Sequence, residues 1–364
     1  MIKVGFIYYI LFFCCCVHAF SQCYSCYELR VKRYDETAFL TTHNSFNCEE
    51  GNFQMPNQTY SISNQLNDGV RALMIDVYDN NGIPTVYHGY SFLGSIPLSS
   101  NLAEIKTFLD NNTTEIVTII FECYVSADMI EQAIIDAGLY DYLFEKNEHL
   151  PWPTLEEMIT TNKRLVVFTD VDDASEQQKW YHYIWEYAVE THFSVQSTDE
   201  FTCEYNRGVP ENDLFIFNHF ITSNLGVGNI NQATIANSNP FFIDRINSCI
   251  AENEKFPNFI TVDFYETGNC CEVVNTLNDM YSKNEKMSNE QIRIFPQPAD
   301  NFIVIEGNNI MEILLYDING KLQKQLNNIV ADKITLNLAG LNSGIYSLKI
   351  NCNSNIYINR IVKI

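Results

Sequence analysis

Positive charge is scarce in this chain. Its 364 residues carry 22 Lys and Arg against 45 Asp and Glu, a formal net charge of −23. Residues 22–290 hold fourteen basic against forty acidic side chains, while the last 74 residues hold seven against five. A body that acidic argues against nucleic acid as a partner and gives no electrostatic pull toward an anionic membrane. Long apolar runs are also missing after the first twenty or so residues, so no later segment is expected to span a bilayer. Histidine is rare: beyond residue 21 it occurs only at 43, 88, 149, 182, 192 and 219. The pairs Cys23/Cys26 and Cys270-Cys271 lack the spacing and histidines of a zinc site.

What is present begins with a leader. Lys3 is followed by an apolar run from Val4 to Val17, with Ala19 and Ser21 as small residues before Gln22, which reads as an export signal over residues 1–21. Cys14, Cys15 and Cys16 leave with it, and none is preceded by the small residues of a lipoprotein signal. Nine of the twelve cysteines remain in an oxidising compartment, an odd number that cannot all pair internally.

Apolar runs at 37–41, 70–77, 84–87, 116–121, 165–169, 214–217 and 259–263 read as buried strands. Helical stretches separate several of them. Leu102, Ile105 and Leu109, with Phe108 beside them and Ser99-Ser100-Asn101 as cap candidates, have the spacing of an amphipathic helix. Strands alternating with helices define an α/β fold, here a TIM-type β/α barrel over residues 22–280 with its eighth strand inferred. Residues 281–290 are polar and read as a linker. From 291 to 364 the pattern is strand and turn, with Asn319-Gly320 and Ser343-Gly344 as turn signals, which predicts a small C-terminal β-sandwich.

His43 and His88 each close a short apolar run. Cleaving a phosphodiester without a redox cofactor needs one group to take a proton and another to give one, and imidazole suits both tasks near neutral pH. Two further runs deliver Asp76 and Glu122 near their carboxyl ends. In a parallel barrel those ends converge on one face. Asn44, Asp76 and Glu122 then offer hard oxygen ligands to one Ca²⁺, with Mg²⁺ second. Asp263, ending the last strand, either accepts a hydrogen bond from His43 or caps a loop. His149, His182 and His192 read as surface or packing residues, the last two in a helical stretch rich in Trp and Tyr; His219 is open.

The run Gly69-Val70-Arg71-Ala72-Leu73-Met74-Ile75-Asp76 is followed in order by Trp152-Pro153-Thr154, Arg164 to Thr169 and Phe256 to Tyr265. With His43 and His88, this series resembles the X domain of phosphatidylinositol-specific phospholipase C, in its bacterial and plant phospholipase C-like phosphodiesterase group, over roughly residues 35–280. The resemblance implies a two-histidine phosphoric diester hydrolase or lyase. His43 would be the general base on a hydroxyl beside the phosphate and His88 the general acid for the leaving alcohol. On an inositol lipid the ring 2-hydroxyl would attack, giving a cyclic phosphodiester. Asn44, Asp76 and Glu122 match ligands of the metal-using branch, while Met74 stands where that branch has a carboxylate, which predicts a weak, water-rich site or none. Arg71 is a candidate for the phosphate, with a structural ion pair about equally expected. The plant relatives imply a Cys203–Cys249 bridge.

The C-terminal segment, with Pro296-Gln297-Pro298 and the ending Arg360-Ile361-Val362-Lys363-Ile364, resembles the type IX secretion sorting domain, in which the usual motif is Pro-Asn-Pro. It implies passage through the periplasm and the type IX machinery to a secreted or cell-surface location. Two rival readings stand beside the main one. The first is a phosphodiesterase for another headgroup, glycerophosphodiester or glycan-linked. The second is a non-catalytic barrel binding a surface lipid or glycan.

Overall fold

The computed structural model describes residues 22–147, 150–222, 227–289, 292–317, 321–327, 330–352 and 355–364. The expected export signal and His149 lie outside them. Two compact units divide after Asn278.

The first unit is built on ten strands: β1 (Phe39–Thr42), β2 (Ala72–Asn80), β3 (Ile83–Val86), β4 (Ile96–Pro97), β5 (Val117–Tyr124), β6 (Leu165–Thr169), β7 (Tyr181–Tyr183), β8 (Ala188–Glu190), β9 (Leu214–Asn218) and β10 (Phe259–Val262). Helices alternate with them: α1 (Ile62–Asn67), α2 (Leu98–Asn111), α3 (Ala127–Asp136), α4 (Leu155–Thr160), α5 (Ile184–Tyr187), α6 (Ile230–Ala236), α7 (Phe241–Asn253) and α8 (Cys270–Asn289). The main path of the sheet runs β7-β6-β5-β2-β1-β10-β9-β8, and every neighbouring pair on it is parallel. This is the strand order of a β/α barrel opened at one seam, since no pairing joins β7 to β8 among the described residues.

Four expectations need correction. The run at 84–87 is a strand but not a stave: β3 lies antiparallel on the extended end of β2 and carries β4 on its other edge. The aromatic stretch around His182 is not one helix, because β7 and β8 flank the single helical turn of α5. Finally, α2 begins at Leu98 with Pro97 at the N-cap, so the two serines lie inside its first turn. Its buried Leu98, Leu102, Ile105, Phe108 and Leu109 form the expected apolar stripe. The segment read as a linker at 281–290 is, as far as Asn289, the end of α8.

Side chains alternate across each strand, and the alternation sorts the barrel into two cores. Phe39, Ala72, Ile120, Val166, Phe168, Leu214, Ile216 and Phe259 fill the inside, together with Tyr34 and Trp152. Trp152 stacks on Tyr34 at 4.9 Å and donates to Asp213 Oδ2 at 3.0 Å. The intervening residues, among them Leu40, Leu73, Ile119, Val167, Phe217 and Ile260, pack outward with residues of the helices. Among the described residues two disulfides are present, the expected Cys203–Cys249 and Cys23–Cys271. Cys26, Cys48, Cys123 and Cys270 are buried thiols.

The strands of the second unit pair antiparallel: β11 (Arg293–Phe295), β12 (Phe302–Asp317), β13 (Leu322–Leu326), β14 (Ala331–Asn337), β15 (Gly344–Cys352) and β16 (Asn355–Lys363), with one isolated parallel bridge between Ala299 and Lys363. β12 serves two groups of strands. Its first half pairs with β11 and β14 and its second with β13 and β15, with register shifts near Ile310 between them. Ile303, Ile305, Ile313, Leu315, Leu348 and Ile361 form its core.

Candidate active site

The same alternation that puts Phe39, Ala72, Ile120, Phe168, Ile216 and Phe259 inside the barrel continues at the carboxyl ends of the strands, where the inward positions become polar. Two or four residues further along lie His43, Asp76, Glu122, Asp170, Asn218 and Asp263, with Glu190 two beyond Ala188. Register confirms the levels, with Asp76 opposite Glu122 on neighbouring strands. His43, Asn44, Asp76, His88, Glu122, Asp170, Glu190 and Asn218 line one cavity of about 110 Å³.

His43 is held on three sides. Its backbone N–H donates to Val262 O at 3.0 Å, and its carbonyl accepts from Gln58 Nε2 at 2.8 Å. Its ring stacks on Phe220 with centroids 3.8 Å apart. Nδ1 lies 2.9 Å from Asp263 Oδ1, the carboxylate being 2% exposed and the imidazole 18%. A carboxylate only accepts, so Nδ1 carries the proton and Nε2 keeps its lone pair. That is the arrangement of a general base with an oriented tautomer.

Asn44 follows in the left-handed region, at φ 47°, a conformation asparagine tolerates better than most residues. Its Nδ2 lies 3.2 Å from His88 Nδ1. Asp76 Oδ2 also lies 3.2 Å from that nitrogen, with the carboxylate 8% and the imidazole 29% exposed. Burial pushes the Asp76 carboxyl above the usual carboxylate range; the His88 hydrogen bond opposes this and the neighbouring Glu122 charge adds to it. Glu122 accepts from Tyr124 OH at 2.5 Å, and Tyr124 stacks on Tyr78, which stacks on Tyr87.

The oxygen donors suit a hard divalent cation in kind: one amide and two carboxylates, one of them crowded by the other's charge. They fall short in number, because Met74 lines the same cavity where a further carboxylate would complete the set. Among the described residues no group of three or more His, Cys, Asp or Glu is placed to hold a metal ion.

Arg71 is not at this site. It precedes β2 at the amino ends of the strands, where Nε bonds Glu115 Oε2 at 2.8 Å and Nη1 bonds the Leu66 and Val70 carbonyls. The cation that sequence reasoning missed is Arg207. It alone among the Lys and Arg residues of the described chain lines the cavity. Its Nε bonds the buried Glu190 at 2.5 Å, and its guanidinium lies over Trp185 and Phe193. Counting inward positions along Val166-Val167-Phe168-Thr169-Asp170 and Leu214-Phe215-Ile216-Phe217-Asn218 would have found Asp170 and Asn218. Arg207 comes from a loop and has no such signal.

The other described histidines, His182, His192 and His219, lie away from this site. On β7, His182 Nδ1 donates to Val167 O at 3.0 Å and Nε2 accepts from Lys146 N at 3.1 Å. His219 is buried, accepts from Arg245 at Nδ1 and donates from Nε2 to Ala236 O. His192 is exposed and accepts from Ser194 N. A larger cleft of about 620 Å³ lies beside His182 and contains neither His43 nor His88.

A family model described as PI-PLC X matches residues 29–278, and one described as secretion system C-terminal sorting domain matches residues 293–364. A PI-PLC X domain-containing protein of Arabidopsis thaliana is 30% identical over 272 residues, covering 67% of this chain and 62% of that protein. The chain therefore spans less than two thirds of that relative's length. PI-PLC X domain-containing protein 1 of Arthroderma benhamiae is 30% identical over 273 residues, covering 68% of this chain and 87% of its own. Among solved structures, the phosphatidylinositol-specific phospholipase C of Listeria monocytogenes superposes with a TM-score of 0.48 at 17% identity, over 69% of this chain and 94% of that one.

Proposed function

This chain belongs to the PI-PLC X domain family, and we propose that it is an exported phosphodiesterase that cleaves a phosphatidylinositol-type diester by general acid and base catalysis. The observation that carries this reading is the pair of histidines, each beside a buried carboxylate, at the carboxyl end of one parallel barrel. His43 Nε2 takes the proton of a hydroxyl next to the phosphate as that oxygen bonds to phosphorus. His88 gives a proton to the leaving alcohol oxygen as its bond to phosphorus breaks. The attacking hydroxyl belongs to the substrate itself, so orientation supplies much of the rate. Asp263 stabilises the positive charge His43 acquires. Arg207, fixed by Glu190, meets the anionic phosphate or a hydroxyl of the headgroup.

A divalent cation would be held by Asn44, Asp76 and Glu122, with water completing a weak site. Bound there, Ca²⁺ would offset negative charge on a non-bridging phosphate oxygen. Calorimetric titration of Ca²⁺ into the protein is expected to give a heat that Asp76→Asn and Glu122→Gln abolish; an undiminished heat in both variants would move the ion elsewhere. Export is proposed to follow the sorting-domain match, through the type IX machinery to the cell surface or medium.

The direct test is phosphorus NMR of the protein incubated with phosphatidylinositol vesicles, with Ca²⁺ and with a chelator. A cyclic inositol phosphate signal, absent in a His43→Ala, His88→Ala double variant, is the expected result. Product from a glycerophosphodiester alone would change the headgroup. No phosphorus product from either would leave a lipid- or glycan-binding barrel.

A further inference from the structure

One chain of side-chain amides joins the two histidines. Asp263 accepts from His43 through Oδ1 and from Asn57 Nδ2 through Oδ2, the latter at 3.1 Å. Asn57 Oδ1 in turn accepts from Asn44 Nδ2 at 3.2 Å and from Asn47 Nδ2 at 2.7 Å. Asn44 Nδ2 then lies 3.2 Å from His88 Nδ1; that nitrogen's proton goes to Asp76 Oδ2, so the amide packs beside the ring rather than bonding it. The orientation of the Asn57 amide is fixed on both of its sides. Asp263 can only accept, which turns the Asn57 nitrogen toward it. Asn47 Nδ2 also lies 3.3 Å from the Met55 carbonyl, which turns its nitrogen toward the Asn57 oxygen.

Asn57 is 1% exposed. Its backbone is pinned as well, N–H to Asn47 O and C=O from Phe264 N, both at 2.9 Å. Gly228 closes over the pair: a Cβ there would meet Asp263 Oδ2 and Pro56 O at 3.0 Å and Asn57 Cα at 3.1 Å.

We propose that Asn57 is a positioning residue shared by the acid and the base. Its nitrogen locks the carboxylate behind His43, and its oxygen locks the amide beside His88. Only a side chain with both a donor and an acceptor at this length does both. Aspartate of the same size puts a second carboxylate against Asp263, and leucine offers neither group. With both oxygens of Asp263 bonded, the carboxylate cannot rotate, so the His43 tautomer and ring plane are set together. The inference rests on the acid–base reading of His43 and His88, and one arm of its test does not.

Asn57→Leu and Asn57→Asp are expected to lower kcat on phosphatidylinositol by roughly 10- to 100-fold with KM within about threefold. In a double-mutant cycle the kcat losses of Asn57→Leu and Asp263→Asn are expected to be strongly sub-additive, because the two residues act through one carboxylate. Additive losses, or unchanged kcat in both Asn57 variants, overturn the proposal. The second arm reads the Nδ1 proton of His43 by NMR. A slowly exchanging downfield signal is expected in the native protein and its loss or broadening in the Asn57 variants; retention in them refutes the relay whether or not phosphatidylinositol is the substrate. Gly228→Ala, which presses on the same two residues without touching a buried hydrogen bond, is expected to broaden the signal in a fully folded protein. An unshifted signal there counts against the relay if the Asn57 variants fail to fold.

Discussion

His43 depends on the buried carboxylate behind it. Replacing Asp263 with Asn keeps the shape and removes the obligate acceptor, so the ring is free to adopt the wrong tautomer. The expected loss in kcat is about 10²- to 10⁴-fold with little change in unfolding midpoint, read by steady-state kinetics beside a thermal melt. Arg71→Ala should do the opposite. It leaves Glu115 buried with its ion pair gone, costing about 3–5 kcal/mol in denaturant unfolding, while the folded fraction keeps its turnover. His182 supplies a pH signature of its own. Burial pushes its folded pKa down to about 4 from 6.5, so above about pH 6.5 it costs nothing. Between there and pH 4 the unfolded chain binds a proton that the folded chain refuses, and stability falls by roughly 3 kcal/mol. The carboxyls whose pKa values burial raises, the buried Asp76 and the half-buried Glu104, Asp170 and Glu266, titrate in the opposite sense. They cancel when urea midpoints at pH 7 and 4.5 are compared between the native chain and His182→Gln, whose stability difference is expected to narrow toward acid.

Long apolar strands announced themselves in the sequence and short ones did not. β2, β5 and β6 are near-continuous runs of branched and aromatic residues, the pattern of a parallel strand covered on both faces. β7 and β8 are three residues each, separated by one helical turn, and their aromatic residues fit a helix as readily as a strand. The run at 84–87 was legible as a strand but its partner was not, because direction comes from the tight turn at Asn81-Gly82, with φ values of 54° and 84°, rather than from its own residues. Site residues followed the same rule: those on strands were readable by counting, while Arg207, Asn57 and the Cys23–Cys271 pairing depend on segments far apart in sequence meeting. Near the seam, the Cys203–Cys249 bridge ties the loop after β8 to α7 across 46 residues. Serine at both positions is expected to cost about 4 kcal/mol by the chain-entropy argument, measured as a drop in urea midpoint under oxidising conditions.

At the scale of the molecule, charge and apolar exposure pull in different directions. The chain carries −23 overall, yet the loop following His88 displays Tyr90 and Phe92, which are 67% and 79% exposed, with rings 5.5 Å apart. If lipid is the substrate, these two rings are the contact and the acidic body is the obstacle. Binding to vesicles containing anionic lipid should therefore strengthen as salt is raised, since the Debye length shrinks to about 10 Å at 0.1 M. Sedimentation of protein with vesicles across a salt series checks the sign. Tyr90→Ser with Phe92→Ser should lower turnover on vesicles several-fold and spare a water-soluble substrate.

The Cys23–Cys271 bond has a further consequence for what a protease can remove. It joins Cys23 to the last helix of the barrel, so two cysteines 248 positions apart close a circuit. One nick anywhere on that circuit leaves a single covalent object, and two are needed to shed a piece. The six described strands of the second unit follow Cys271 in sequence and so are not part of the circuit. A single cut beyond Asn278 leaves the ring, with both histidines, covalently intact.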